Sequence, residues 1–136
     1  MVAAVCTWHE HHEAAREEIS RRLRENEPLF VAGPALVEAY AVLTRLPPPH
    51  RLSAADAWRL IDVGFSQSGR IVALDGRSYR ALLRRAAEEG ISGGRTYDAV
   101  IAECALRKKG VTLLTFNADD FSGFTTRGLE VVVPGR

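Results

Sequence analysis

Four oxygen-bearing side chains stand within or beside strongly apolar segments of the sequence: Glu38, Asp98, Asn117 and Asp120. Carboxylates can converge on one site only if a cation or a shared proton offsets their repulsion. Oxygen ligands without His or Cys suit Mg²⁺ or Mn²⁺, which keep several waters and bridge to phosphate oxygens. The chemistry predicted by this combination is metal-assisted phosphodiester cleavage, in which the metal activates water and stabilises the transition state.

Each position also has a purely structural interpretation. Glu38 is the only charged residue from Val31 through Leu43, in a helix apolar enough to be packed nearly all round, where an internal salt bridge to Arg45 or Arg95 would offset its burial. Asp98 stands near a helix start, where an acid stabilises the helix dipole by about 0.3–1 kcal/mol. Residues 115–121 contain the Asn and Asp types that are common in plain loops.

Short apolar strands that alternate with helices must position these residues. This order predicts an α/β fold, with a parallel sheet buried on both faces and ligands bound beyond the carboxyl ends of its strands. We expect one domain over residues 1–136. The expected strands are residues 29–32, 71–74, 111–115 and 129–133, and the expected helices are residues 9–26, 34–45, 54–65, 77–89 and 97–109.

The composition excludes several classes of protein. A formal charge of +1 argues against a domain that holds nucleic acid by bulk charge alone, although a local basic face remains possible. Cys6 and Cys104 are too few for a disulfide framework, and no Cys/His spacing resembles a zinc site. No apolar run reaches the roughly 18 residues that span a bilayer. We therefore expect a soluble cytoplasmic protein with no membrane partner.

Three segments in order resemble the PIN-domain ribonucleases, in particular the VapC toxins of toxin–antitoxin systems. Residues 31–45, with Glu38, resemble the second acidic segment of the family; residues 97–102, with Asp98, resemble the third; and residues 113–121, with Asn117 and Asp120, resemble the fourth. The resemblance covers nearly the whole chain. It implies a three-layer PIN-like fold with a short, mainly parallel sheet flanked by helices.

The same resemblance implies function and partners. It implies that the protein is an Mg²⁺- or Mn²⁺-dependent endoribonuclease and that it forms a homodimer. It also implies inhibition by a VapB-like antitoxin whose tail reaches the acidic pocket. Asp98, Glu38 and Asp120 are then the metal ligands, and Asn117 completes the pocket and positions water.

One departure from the family pattern concerns the first strand, which in the family is central to the sheet and ends in a metal-binding Asp. Here no Asp precedes Asp56, and residues 1–9 resemble only the segment that comes after that strand. Either the native protein begins about ten residues earlier, or the chain is a truncated and weakened relative. The second possibility predicts a non-catalytic module that still binds antitoxin or RNA. A receiver-type signalling domain is disfavoured because the only lysines, Lys108 and Lys109, stand at a helix end.

Three further groups of residues have ordinary structural interpretations. We expect His9, His11 and His12 to form a solvated start of the first helix. Arg77, Arg80 and Arg84 lie along one helix face, which is typical of solvated surface but also suits phosphate contacts. We interpret Trp8 and Trp58 as core or dimer-interface residues rather than base-stacking platforms.

Overall fold

The computed structural model describes all 136 residues, which divide into two compact units. The first unit comprises Met1–Ile71 with Gly135, and the second comprises Val72–Pro134 with Arg136. Short strands alternate with helices along the chain and form two pairs, which confirms the α/β class expected from the sequence. None of the helices combines the length and the apolar character that crossing a bilayer requires.

The first unit contains four helices and one strand pair. The elements are α1 (Val2–Val5), α2 (His12–Arg24), β1 (Phe30–Ala32), α3 (Gly33–Arg45), α4 (Ala54–Ile61), a π-helical turn over Asp62–Ser66, and β2 (Arg70–Val72). Strand β1 pairs with β2, and the Arg70 amide donates to the Leu29 carbonyl over 2.9 Å. The boundary between the two units falls at the end of β2.

Local sequence signals explain where these elements begin and end. Pro34 stands in the first turn of α3, where its missing N–H costs nothing. The Ser53 hydroxyl caps α4 by accepting the Asp56 amide at 3.1 Å. A side chain at Gly69 would lie 2.7 Å from the Phe65 carbonyl and from Val31, so only glycine lets the chain pass from the π-helical turn into β2.

The core of the first unit lies where α1, α3 and α4 meet. Its buried side chains are small or branched, which lets these helices approach one another closely. Leu43 is fully buried at its centre, and no charged group belongs to it. The buried members are Cys6, Ala39, Leu43, Ala57 and Ile61.

The second unit is built around a parallel strand pair. The register places Thr112 beside Glu130, Leu113 beside Val131 and Leu114 beside Val132. Because the two strands are parallel, both carboxyl ends open onto one edge. The elements are α5 (Gly76–Glu89), α6 (Arg95–Leu106), β3 (Thr112–Leu114), α7 (Ala118–Thr125) and β4 (Glu130–Val132).

Helix α6 packs against α5, α7 and β3 and so joins the second unit together. Its buried face contributes Ala102 to a small core with Phe121 and Leu129. Helix α5 begins at Asp75, whose carboxylate accepts the Ser78 amide at 2.8 Å, and ends at Gly90 in the left-handed conformation, with φ of 69°. Both ends of α5 match the sequence signals for its bounds.

Three elements differ from the expectations. Residues 2–5 form α1, which the sequence did not indicate, and residues 118–125 form α7 within a segment that a plain loop also explained. Helix α6 ends at Leu106 rather than Lys109, because Lys108 donates its amide back to the Ala105 carbonyl and closes the helix there.

Candidate active site

A cavity of about 280 Å³ opens at the carboxyl edge of the β3–β4 pair, where an open parallel sheet places ligands. It is formed by the segment that follows β3 and by residues that follow β4. Both carboxylates of the first segment, Asp119 and Asp120, line it and are exposed. The lining residues are Phe116, Asn117, Ala118, Asp119, Asp120, Val133 and Arg136.

Backbone and hydroxyl hydrogen bonds hold the rim of this cavity. The Thr115 amide donates to the Val132 carbonyl at 3.1 Å, which extends the strand pairing by one residue. The Thr115 hydroxyl then accepts the Asn117 amide, and the Asn117 carbonyl accepts the Asp120 amide at 3.2 Å. Asn117 thus occupies the cap position of α7, and Asp119 and Asp120 stand in its first turn, where the helix dipole favours negative charge.

Asp98 stands in the first turn of α6 and is half-buried, unlike its exposed neighbour Tyr97. The next two residues, Ala99 and Val100, are buried, so the backbone that carries Asp98 is anchored in the unit. Since α6 packs against α7, Asp98 and Asp120 occupy the first turns of two helices in contact.

Glu38 belongs to the first unit and is exposed on α3. The expectation that α3 is packed nearly all round is wrong: Val37 is 71% exposed and Tyr40 38% exposed, because only one face of the helix contacts the core. Glu38 forms no salt bridge with Arg45, and its exposed carboxylate needs none. Burial lowers the pKa of the Met1 α-amino group, and the Glu38 charge opposes that shift.

The donor set of the second-unit cavity fits a hard divalent cation. Asn117, Asp119 and Asp120 supply only amide and carboxylate oxygens, and the cavity has room for an ion that keeps waters. Neither unit by itself contains a group of three His, Cys, Asp or Glu side chains able to hold a metal ion. Arg136 lines the same cavity and is its only cationic residue.

The sequence did not single out Asp119 or Arg136 as separate members of the site. Asp119 could have been chosen as readily as Asp120, because both follow a buried strand within the same run of polar residues. Arg136 had no sequence signal, since only the parallel pairing of β3 and β4 brings it to the edge that also carries Asn117.

The expectation for His12 is wrong: His12 is buried rather than solvated, because its Nδ1 is hydrogen-bonded to the Ala3 carbonyl at 2.9 Å and ties α2 to α1. Trp8 and Trp58 are 45% and 57% exposed, which contradicts a core position and leaves the dimer-interface interpretation as a prediction. Trp8 stacks on His50 with ring centroids 4.1 Å apart.

The arginine row on α5 is exposed, as expected for Arg77, Arg80 and Arg84. Arg85 differs, because its guanidinium donates to the Glu103 carboxylate at 2.8 Å, and Arg127 donates to the same oxygen at 2.8 Å. Burial raises the pKa of Glu103, but Arg127 and Arg85 outweigh it and hold that pKa below its ordinary value. This triad ties α5, α6 and the end of α7 together.

The comparisons with known proteins give one family model and ribonuclease relatives. The PIN domain family model matches residues 1–124. Ribonuclease VapC40 of Mycobacterium tuberculosis, in strains H37Rv and CDC 1551, is 43% identical over 117 residues, which cover 85% of this chain and 79% of the relative. Ribonuclease VapC27 of strain H37Rv is 35% identical over 131 residues, which cover 96% of this chain and 82% of the relative.

Proposed function

Since the chain belongs to the PIN domain family, we propose that it is a divalent-metal-dependent endoribonuclease of the VapC toxin type. The observation that carries the proposal is the oxygen-lined cavity at the carboxyl edge of the β3–β4 pair. It has the donor chemistry of an Mg²⁺ or Mn²⁺ site. The names of two relatives, both ribonucleases, support RNA as the substrate.

We assign the roles of the residues from their motifs and their local structure. Asp98, Glu38 and Asp120 are the proposed metal ligands. We expect Asn117, at the cap of α7, to donate a hydrogen bond from its side-chain amide to a water or a phosphate oxygen. A bound divalent ion supplies the positive charge that activates water and stabilises the charge developing on the phosphate.

The chain's own residues prepare that chemistry. Asp98 and Asp120 stand in the first turns of α6 and α7, where the helix dipoles favour negative charge. The Arg136 side chain, in the same cavity, provides a cation that can contact a phosphate oxygen of a bound RNA strand.

The substitution Asp98→Asn tests the proposal, because it keeps the shape of the side chain and removes its charge. We expect the purified protein to cleave RNA only with Mg²⁺ or Mn²⁺, and the variant to lose at least about 100-fold in rate, as for other metal-site carboxylates. Asp56→Asn, on an exposed helix start of the first unit, serves as the control and should cleave at the wild-type rate. Equal cleavage by wild type and Asp98→Asn would refute the proposed site.

A second candidate is a non-catalytic module that retains antitoxin or RNA binding. It is favoured by the lack of any Asp before Asp56, because the first metal-binding Asp of the family pattern then has no counterpart among these residues. This candidate predicts tight antitoxin binding with no uptake of Mn²⁺ by calorimetric titration. If the wild type binds Mn²⁺ and the Asp98→Asn variant does not, the result supports the enzyme over the non-catalytic module.

The proposed partners follow from the same family. We expect a VapB-like antitoxin, an RNA substrate, a cytoplasmic location, no membrane partner and a homodimer. Light scattering should then give a particle of about twice the 14.9 kDa chain mass, and added antitoxin should suppress RNA cleavage.

A further inference from the structure

Helix α5 carries a second apolar row that stays exposed. Its first apolar row, centred on Leu82 and Ala86, is buried, and α5 packs against α6. The second row consists of Tyr79, Leu83 and Ala87, which stand four residues apart and therefore follow one side of the helix. Tyr79 is 38% exposed and Leu83 is 56% exposed. An exposed apolar row of this kind marks an interaction surface.

A charged row runs beside the exposed apolar row, and we call the two rows together the α5 face. Its residues recur at intervals of three and four, so they share one side of the helix, and all of them are exposed. Within the chain, the only ion pair of α5 is that of Arg85, outside this row, with Glu103. The members of the charged row are Arg77, Arg80, Arg84 and Glu88.

The order of charges along α5 opposes the helix dipole, which favours acids in the first turn and cations in the last. The first turn contains Arg77 and no acidic residue, and the last turn contains Glu88 and Glu89 and no basic residue. Only Asp75, at the cap, follows the dipole, and its carboxylate accepts the Ser78 amide. The charges of the α5 face therefore do not stabilise their own helix and are available to an outside partner.

We infer that the α5 face pairs antiparallel with the same face of a second copy of this chain, about a two-fold axis at Leu83. A two-fold contact uses one surface twice, so that surface must be complementary to itself. The apolar row meets this condition, because Tyr79 and Ala87 stand four residues to either side of Leu83. The large Tyr79 of each copy then lies opposite the small Ala87 of the other.

The charged row is complementary to itself in the same arrangement. At a rise of about 1.5 Å per residue, Glu88 lies about 7.5 Å beyond the axis at Leu83. Arg80 and Arg77 lie about 4.5 Å and about 9 Å before the axis. Antiparallel pairing therefore brings Glu88 of each copy level with the space between Arg77 and Arg80 of the other. Arg84 stands one residue from the axis and meets its own counterpart, which limits the affinity.

The inference rests on the proposed function only for its homodimer, and it names the surface that joins the two copies. A helix of 14 residues is about 21 Å long, so contact through α5 alone buries less than the roughly 800 Å² per partner of a standard interface. We therefore expect a dissociation constant of roughly 1–10 µM. The α5 face contributes no residue to the acidic cavity that Asp119 and Asp120 line, so RNA cleavage tests the proposed function separately.

Sedimentation equilibrium of the Leu83→Asp variant tests the apolar row. The control is Leu23→Asp, which places the same charge at a leucine that is 45% exposed on α2. We expect the wild type and the control to dimerise equally, and Leu83→Asp to dimerise at least about tenfold more weakly, because each carboxylate would be buried against the other. Circular dichroism checks that all three proteins are folded.

Charge reversal tests the antiparallel order without changing an apolar residue. The variants Arg77→Glu/Arg80→Glu and Glu88→Arg each place like charges opposite one another, so each should dimerise at least about tenfold more weakly than the wild type. A mixture of the two should form a heterodimer within about threefold of the wild-type affinity, because opposite charges again face each other on both sides of the axis. Fluorescence anisotropy of one labelled variant titrated with the other measures this recovery.

The inference is wrong if Leu83→Asp dimerises as tightly as the wild type, or if the mixture binds no more tightly than either variant alone. It is also wrong if the wild type is monomeric at about 100 µM. In that case, weaker binding of a labelled single-stranded RNA by Arg77→Glu/Arg80→Glu would assign the α5 face to RNA. RNA cleavage by the wild type would leave the proposed function standing in each of these cases. A dimeric wild type that cleaves no RNA would contradict the proposed function and not the α5 contact.

Discussion

Asp119 and Asp120 are neighbours, both line the acidic cavity, and both are exposed, so their proposed roles can be separated by one matched pair of substitutions. The motif assigns the metal to Asp120. We therefore expect Asp120→Asn to lower the cleavage rate by about 10- to 100-fold and to raise the metal concentration needed for half-maximal rate. Initial rates over a Mn²⁺ titration measure both effects.

Asp119→Asn is the control for that prediction. It removes the same charge from the same cavity and the same helix turn, so general electrostatics affect both variants alike. A larger loss with Asp119→Asn than with Asp120→Asn would transfer the ligand role to Asp119.

Among the ion pairs, those of Glu103 are expected to contribute most to the stability of the protein. Its side chain is 12% exposed and accepts hydrogen bonds from two guanidinium groups, on Arg85 and Arg127. Glu103→Gln should lower the free energy of unfolding at neutral pH by about 1–3 kcal/mol, because two cations lose their charged partner. Urea denaturation measures the change, and Glu25→Gln, in an exposed ion pair with Arg21, should cost less than about 1 kcal/mol.

The same residue predicts a pH dependence. The folded-state pKa of Glu103 lies below its ordinary value of 4.5, so its stabilisation is complete above that pH and is lost as the pH falls through the folded-state pKa. The difference between wild type and Glu103→Gln should therefore shrink on acidification below pH 4.5. A difference that stays constant down to about pH 2 would contradict the assignment.

At the scale of single elements, we expect a glycine-to-alanine substitution to have opposite effects on stability at the two ends of α5. Gly90 adopts φ of 69° at the C-cap, so Gly90→Ala should destabilise the protein by about 1 kcal/mol. Gly76 stands at the first helical position with open space around it, so Gly76→Ala should be neutral or stabilise by up to about 1 kcal/mol. Thermal unfolding of both variants checks the sign at each end.

Three helix ends were predicted well because their signals are local. Pro34, Ser53 and Gly90 each act through a backbone conformation or a hydrogen bond within four residues, so the sequence alone contains the cause. Helix α7 was ambiguous because Asn and Asp serve equally at a helix start and in a loop.

Burial was predicted less well than helix position. The spacing of Tyr79, Leu82, Leu83 and Ala86 predicts that all four lie on the buried side of α5. Tyr79 and Leu83 are nevertheless 38% and 56% exposed, while Ser78 is buried and accepts a hydrogen bond from the Arg107 guanidinium. Periodicity identifies an apolar stripe, yet the centre of the buried face depends on which neighbour packs there. On α5 that face is centred on Leu82 and Ala86.

At the scale of the whole molecule, the sequence indicated three candidate segments for the chemistry but not which residues share a cavity. The parallel pairing of β3 and β4 brings Asn117 and Arg136 to one edge, and it brings residues 107–111 and 127–129 to the other. Such neighbours are far apart in the chain, and neither composition nor periodicity contains their distance. The assignment of Glu38, Asp98 and Asp120 as ligands remains a prediction.

Metal binding provides a whole-molecule test that needs no substrate. A ligand that binds only the native state stabilises it by about 2.7 kcal/mol at a concentration 100 times its Kd. For a chain of 136 residues, this raises Tm by roughly 10 °C. We expect such a rise with Mn²⁺ for the wild type and no rise for Asp98→Asn, measured by calorimetry against Ca²⁺ and Na⁺ at equal ionic strength. A rise of equal size in the variant would show that the ion binds elsewhere, whereas no rise in the wild type would favour the non-catalytic module.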